Sequence, residues 1–132
     1  MRRLRHWLPA FAYMALIFAL SSMRLVAPAI EDVPFQDKGV HFLEYFVLGF
    51  LCAHATRHTW ASRAAVRTYA LAFFLATAWG FSDELHQAFV PGRSADWIDV
   101  VADALGSLVG VVTYASVGYL RARGAVPLRG RA

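Results

Sequence analysis

Between Ser82 and Asp103 the run Ser-Asp-Glu-Leu-His-Gln-Ala-Phe-Val-Pro-Gly-Arg-Ser-Ala-Asp-Trp-Ile-Asp-Val-Val-Ala-Asp sets Asp83, Glu84, Asp96, Asp99 and Asp103 beside His86 and Arg93. Carboxylates grouped with an imidazole can share protons as acid and base. They can also hold a divalent metal, oxygen-rich sites suiting Mg²⁺, Ca²⁺ or Mn²⁺ better than Zn²⁺. A metal held there would polarise a phosphoryl oxygen or generate a hydroxide. Arg93 adds a planar fork that binds a carboxylate or a phosphate through two parallel hydrogen bonds. None of these spacings is an established metal motif, since Asp-Glu-x-His-Gln differs from His-Glu-x-x-His.

The rest of the chain is too apolar for an ordinary soluble domain. Of its 132 residues 58% are hydrophobic and only 17% charged, which places it among small integral membrane proteins. Four apolar stretches, residues 7–23, 39–56, 64–81 (with an extension to 90) and 97–120, approach the length a helix needs to cross the hydrocarbon core. The expected fold is therefore all-α, a compact bundle of four transmembrane helices over residues 1–120, with a basic, disordered tail over 121–132. Ala27-Pro28-Ala29 imitates a signal-peptide cleavage site, but the apolar run before it is long for a signal and Pro28 lies inside the imitation, so the segment is expected to stay as a span. The single Cys52 offers no disulfide framework and reads as a packed thiol.

Charge sets the expected orientation. Arg2, Arg3 and Arg5 precede the first stretch, Arg57, Arg63 and Arg67 lie between the second and third, and Arg121, Arg123, Arg129 and Arg131 follow the fourth. The positive-inside rule makes these cytoplasmic and puts both termini inside a bacterial inner membrane. Glu31, Asp32, Asp37, Glu44, Asp83, Glu84, Asp96, Asp99 and Asp103 then all fall in the outer half, accompanied only by Arg24, Lys38 and Arg93. The formal net charge of +4 hides this polarity. The basic face suits an anionic leaflet, and no nucleic-acid motif is present. Trp7, Trp60 and Trp97 fall at the predicted interfaces as belt anchors, and His6, His54 and His58 read as interfacial.

Helical spacing draws the polar residues into faces. Lys38, His41 and Tyr45 share one, with Glu44 a step round; Asp83, His86 and Gln87 share another, with Glu84 adjacent and Trp79 a turn below. Asp96, Asp99, Asp103, Gly106 and Gly110 form one stripe, acidic at its outer end and small toward the middle, where Gly-x-x-x-Gly admits a neighbouring helix. Val90-Pro91-Gly92-Arg93 has Pro and Gly where a type II turn needs them.

These residues carry a resemblance. The pattern Asp37-Lys38-x-x-His41-Phe42-x-x-Tyr45-x-x-Leu48-Gly49, then Ser82-Asp83-Glu84-x-His86-Gln87-x-Phe89-Val90-Pro91-Gly92-Arg93-x-x-Asp96-x-x-Asp99-x-x-x-Asp103-x-x-Gly106-x-x-x-Gly110, resembles the VanZ-like family of small bacterial membrane proteins over residues 37–110. Many members have Asn where this chain has Asp103. The resemblance implies a cell-envelope role, the name-giving member being linked to low-level resistance to the glycopeptide teicoplanin, and implies no settled reaction.

Three classes of function remain open. In the first, an outer-face site recognises or modifies a surface lipid or cell-wall precursor head group. Its catalytic candidates are His41, Asp83, Glu84, Asp99 and Asp103; Lys38, Tyr45, His86, Gln87, Arg93 and Asp96 would bind the ligand, and Asp83, Asp99, Asp103 and His41 are metal-ligand candidates for Mg²⁺, Ca²⁺ or Mn²⁺. In the second, the same groups form an ion or proton site, in an oligomer if transport is involved. In the third they only tie helices together, with ion pairs such as Lys38–Asp83 or Arg93–Asp96, while Glu31, Asp32, Asp37 and Asp96 lie in water. The excess of carboxylates over cations at the outer end favours a site.

Overall fold

The computed structural model describes residues 3–23 and 36–124. A short 3-10 turn, Leu4–His6, leads into helix α1 (Leu8–Ser21), followed by α2 (Gln36–Thr59), α3 (Ala65–Gln87) and α4 (Trp97–Gly124). Among the described residues there is no strand. Asp37–Thr59 and Trp97–Gly124 are each long and apolar enough to cross a membrane. Pro9 begins α1 where its missing N–H costs no hydrogen bond. The fourth helix continues past residue 120 to Gly124, so Arg121 and Arg123 are helical where a loose tail was expected. Glu31, Asp32 and Arg24, and residues 125–132, lie outside the described residues.

Helix α2 sits at the centre, touching α1, α3 and α4, and its largest interface is with α4. Glycine makes that interface possible. A Cβ on Gly106 would strike the carbonyl of Phe42, one on Gly110 the carbonyl of Phe46, and one on Gly49 the backbone of Ser107. Most of the stripe read from the sequence is the packing surface: Asp99, Asp103, Gly106 and Gly110 are buried on α4 with Ser107 and Val111, whereas Asp96 precedes the helix and is partly exposed. Both helices run in the same direction, stepping four residues together.

Helix α3 returns antiparallel and presents Thr68, Ala72, Ala76, Gly80 and Glu84 to the bundle at four-residue intervals, a small-residue face that ends in a carboxylate. The outward surface is apolar, with Phe18, Leu43, Phe74, Phe81, Leu85, Val101, Leu105 and Val112 all exposed. Large uncovered apolar surface of this kind is what a lipid-facing bundle shows.

The ends of the bundle differ in chemistry. At one, Trp7 Nε1 donates to Thr59 Oγ1 at 2.8 Å, the Trp7 and Trp60 rings meet edge to face, and His6, His54 and His58 cluster with ring centroids 4.4 to 5.4 Å apart. At the other lie Trp97, 72% exposed, and the acidic residues. The turn joining α3 to α4 has the predicted form, with Gly92 at φ 83° and the Arg93 N–H donating to the Val90 carbonyl at 3.1 Å.

Asp96 starts the fourth helix. Its Oδ1 accepts the Ile98 N–H at 2.9 Å, a helix N-cap, and its other oxygen lies 2.6 Å from Lys38 Nζ. The Lys38 hydrogen bond and then that of Ile98 hold the carboxyl below its usual pKa. A lowered folded-state value means that the link is complete above the unfolded carboxylate pKa and is lost as pH falls through the folded one. Asp96→Ala is therefore expected to lower the melting temperature by a few degrees at neutral pH, on the order expected for a lost cap. Thermal unfolding at neutral and strongly acidic pH checks it, the difference between variant and wild type shrinking in acid.

Candidate functional site

The shared register of α2 and α4 positions the site. One turn outward from the Gly106–Phe42 contact, His41 and Asp103 face each other, and the His41 Nδ1–H donates to Asp103 Oδ1 at 3.0 Å. With Asp103 ionised the ring proton of that bond sits on Nδ1, and Nε2 is directed elsewhere, 4.0 Å from Asp99 Oδ2. A turn further out Lys38 Nζ gathers three carboxylates, at 2.9 Å from Asp37, 2.6 Å from Asp96 and 2.7 Å from Asp99. The expected partner Asp83 is not among them.

Asp83 belongs to a different contact. Its Oδ1 accepts from Ser21 Oγ at 2.5 Å and its Oδ2 from Gln87 Nε2 at 3.0 Å, so both oxygens are engaged. Gln87 in turn accepts from Arg93 through Nε at 3.2 Å and Nη2 at 2.7 Å. Arg93, expected over Asp96, thus holds a neutral amide, and among the described residues it forms no ion pair. Glu84 faces α4, where its Oε1 accepts the Asp96 N–H at 2.5 Å. Its Oε2 is buried and has no hydrogen-bond partner among the described residues.

The last turn of α3 therefore points two ways. Asp83 and His86 turn toward α1, His86 Nε2 lying 3.0 Å from Ser22 Oγ with its ring on Phe18. Glu84 turns toward α4, and Gln87 bridges the two sides. Ser21, the last residue of α1, and Ser22, its C-cap, are site neighbours that the sequence reading missed; two hydroxyls closing an apolar run were the available signal. Gly80 was missed as well. A Cβ there would lie 2.7 Å from Asp103 Oδ2 and 3.0 Å from Tyr45 Cε1, so its absence makes room for the buried carboxylate.

Two adjoining cavities open at this end. One, of about 220 Å³, is lined by Asp37, Lys38, His41, Gln87, Gly92, Arg93, Ser94, Asp96 and Asp99. The other, of about 180 Å³, is lined by Leu20, Ser21, Asp37, Val40, His41, Glu44, Asp83, Gln87 and Arg93. Of the residues singled out from the sequence, Lys38, His41, Asp83, Gln87, Arg93, Asp96 and Asp99 reach these walls. Tyr45 is fully buried beneath them, its hydroxyl without a partner, and Asp103, 1% exposed, stands behind His41. His86 is at the α1 side and Glu84 lies between the polar site and a small apolar pocket of about 60 Å³ formed with Phe81, Leu85, Ala88, Ala95 and Trp97.

The carboxylates Asp37, Glu44, Asp83, Glu84, Asp96, Asp99 and Asp103 converge here with Lys38 and Arg93 as the fixed cations among the described residues. Lys38 answers three of them. One ligand atom each from His41, Glu84 and Asp99 lies within 4.8 Å of the others, all three residues being buried, which is a geometry able to hold a metal ion. Searches of curated proteins and of solved structures return no match. A family profile described as VanZ/LLP1 matches residues 5–118, both cavities included.

Proposed function

Because the chain belongs to the VanZ/LLP1 family, we propose that it is a four-span protein of the bacterial inner membrane that recognises or modifies a phosphate-bearing head group at its outer face. That head group is carried by a surface lipid or a cell-wall precursor. Both termini are cytoplasmic in this reading, which rests on the clustering of Arg3, Arg5, Arg57, Arg63, Arg67, Arg121 and Arg123 toward the end opposite the acidic site. A role at the cell surface agrees with the link between the family's name-giving member and teicoplanin resistance.

Arg93 is the observation that carries the proposal. It lines both cavities and, amid an excess of carboxylates, is bound to the neutral Gln87 oxygen. A guanidinium that forms no ion pair among the described residues is suited to an incoming phosphate. By contrast Asp83 and Asp96 have structural partners that account for them, which assigns part of the polar set to helix packing.

Arg93→Gln removes the charge while keeping a polar side chain that can donate hydrogen bonds. Purified from membranes in mild detergent, the wild type is expected to retain an anionic lipid or precursor detectable by mass spectrometry, and the variant to lose about nine-tenths of it, the order of effect of one charge-assisted contact of about 1.5 kcal/mol. Equal retention by a folded Arg93→Gln protein would overturn the reading.

A further inference from the structure

We infer that His41 Nε2, Glu84 and Asp99 bind a divalent cation, Mn²⁺ in preference to Mg²⁺ or Ca²⁺, with Asp103 as the positioning residue for His41. The inference deepens the head-group reading and rests on it, because the bound ion would face the cavity that Arg93 lines.

Each ligand atom is left over after another bond has been made. The His41 Nδ1–H is committed to Asp103 at 3.0 Å, which is how metal-binding imidazoles are commonly held and aimed. Asp99 gives one oxygen to Lys38 at 2.7 Å, and the other lies 4.0 Å from His41 Nε2. Two ligands on opposite sides of an ion stand about 4.2 Å apart for metal–ligand bonds of about 2.1 Å, so this spacing needs little adjustment. Glu84, 4% exposed, gives Oε1 to the Asp96 N–H and keeps Oε2 buried and unpartnered.

A buried carboxylate oxygen with no donor is costly unless a cation or proton answers it. Glu84 is thus the observation independent of the acidic clustering. Of the other two carboxylates expected as ligands, Asp83 has a partner on each oxygen, and Asp103 serves the imidazole through Oδ1 while its Oδ2 lies against Gly80, outside the group of three. One nitrogen and two carboxylates form a mixed donor set, harder than a histidine-only site and less purely oxygen than a Mg²⁺ or Ca²⁺ cage, which favours Mn²⁺ over those two ions. With Asp99 and His41 on the cavity wall, the ion's remaining positions would face the cavity, where a phosphate oxygen can complete them.

The test uses the full chain in detergent, stripped with chelator and titrated with Mn²⁺, followed by electron paramagnetic resonance. The wild type is expected to bind Mn²⁺ saturably, one per chain, with a pulsed-resonance coupling to an imidazole nitrogen. Glu84→Gln should abolish saturable binding, and Asp103→Asn should keep the nitrogen coupling while weakening affinity about ten- to a hundredfold. Absence of saturable binding or of the nitrogen coupling in the wild type overturns the inference, a result that does not depend on how any variant folds. Wild-type affinity in a folded Glu84→Gln protein overturns it too. If Mn²⁺ fails to bind while lipid retention still depends on Arg93, the metal inference alone fails; if Mn²⁺ binds and retention ignores Arg93, the head-group reading alone fails and with it the role assigned to the ion.

Discussion

Gly106→Leu is expected to unfold the protein or leave it aggregated on extraction, because the new side chain would be driven into the Phe42 carbonyl of α2. Overpacking against side chains costs roughly 1 to 3 kcal/mol, since side chains can move aside. A helix backbone cannot move alone: parting α2 from α4 here also opens the Gly110–Phe46 and Gly49–Ser107 contacts. It also draws His41 off Asp103, a turn away. The cost should therefore exceed that ordinary range. Gly118→Leu provides the control, as nothing lies within 4 Å of a Cβ at that position. Monodispersity by size exclusion and thermal unfolding in detergent check the pair, and a Gly106→Leu protein as stable as Gly118→Leu would refute the packing argument.

A comparable loss is expected from His41→Leu in metal-free protein, for an electrostatic reason. Asp103 is 1% exposed, its Oδ1 is hydrogen-bonded to His41 and its Oδ2 has no hydrogen-bond partner. Removing the imidazole leaves a buried carboxylate without any donor, a change that typically costs about 3 to 5 kcal/mol. Removing both members should be far milder. His41→Leu combined with Asp103→Leu, which takes away the charge along with its partner, is expected to recover most of the loss, since replacing a buried pair by apolar groups is often close to neutral. Thermal unfolding of the two single variants and the double variant, in chelator, measures the coupling. Additive losses would show that the imidazole and the carboxylate do not act as a pair.

Local geometry was legible in the sequence wherever one helix or one turn decided it. The Asp99–Asp103–Gly106–Gly110 stripe is buried as one face, and Gly92 takes the positive φ that its turn requires. Pairings between helices were less legible. Lys38 and Asp83 look like natural partners by charge and by end of the bundle, yet Lys38 lies with Asp96 and Asp99 on α4, while Asp83 bonds to Ser21 on α1. Spacing fixes which residues share a face, but the rotation of α3 about its own axis is set by what packs beneath it, and Gly80 against Asp103 is part of that contact. The same rotation separates Asp83 and His86 from Glu84. Tyr45 shares a face with Lys38 and His41 but sits deeper, against Gly80 of α3, where it is completely buried.

The parallel run of α2 and α4 also has a bearing on biosynthesis. The widest interface of α2 is with α4, so in the four-span reading the α2–α3 hairpin waits in the bilayer with Gly49 and the Phe42 and Phe46 carbonyls uncovered until α4 is made. Until α4 arrives, Lys38 has neither Asp96 nor Asp99 to bind, and His41 has no Asp103. In that reading the nascent chain passes through a stage in which these polar groups are answered by lipid head groups or water, and α4 acts as the keystone that closes the structure from within.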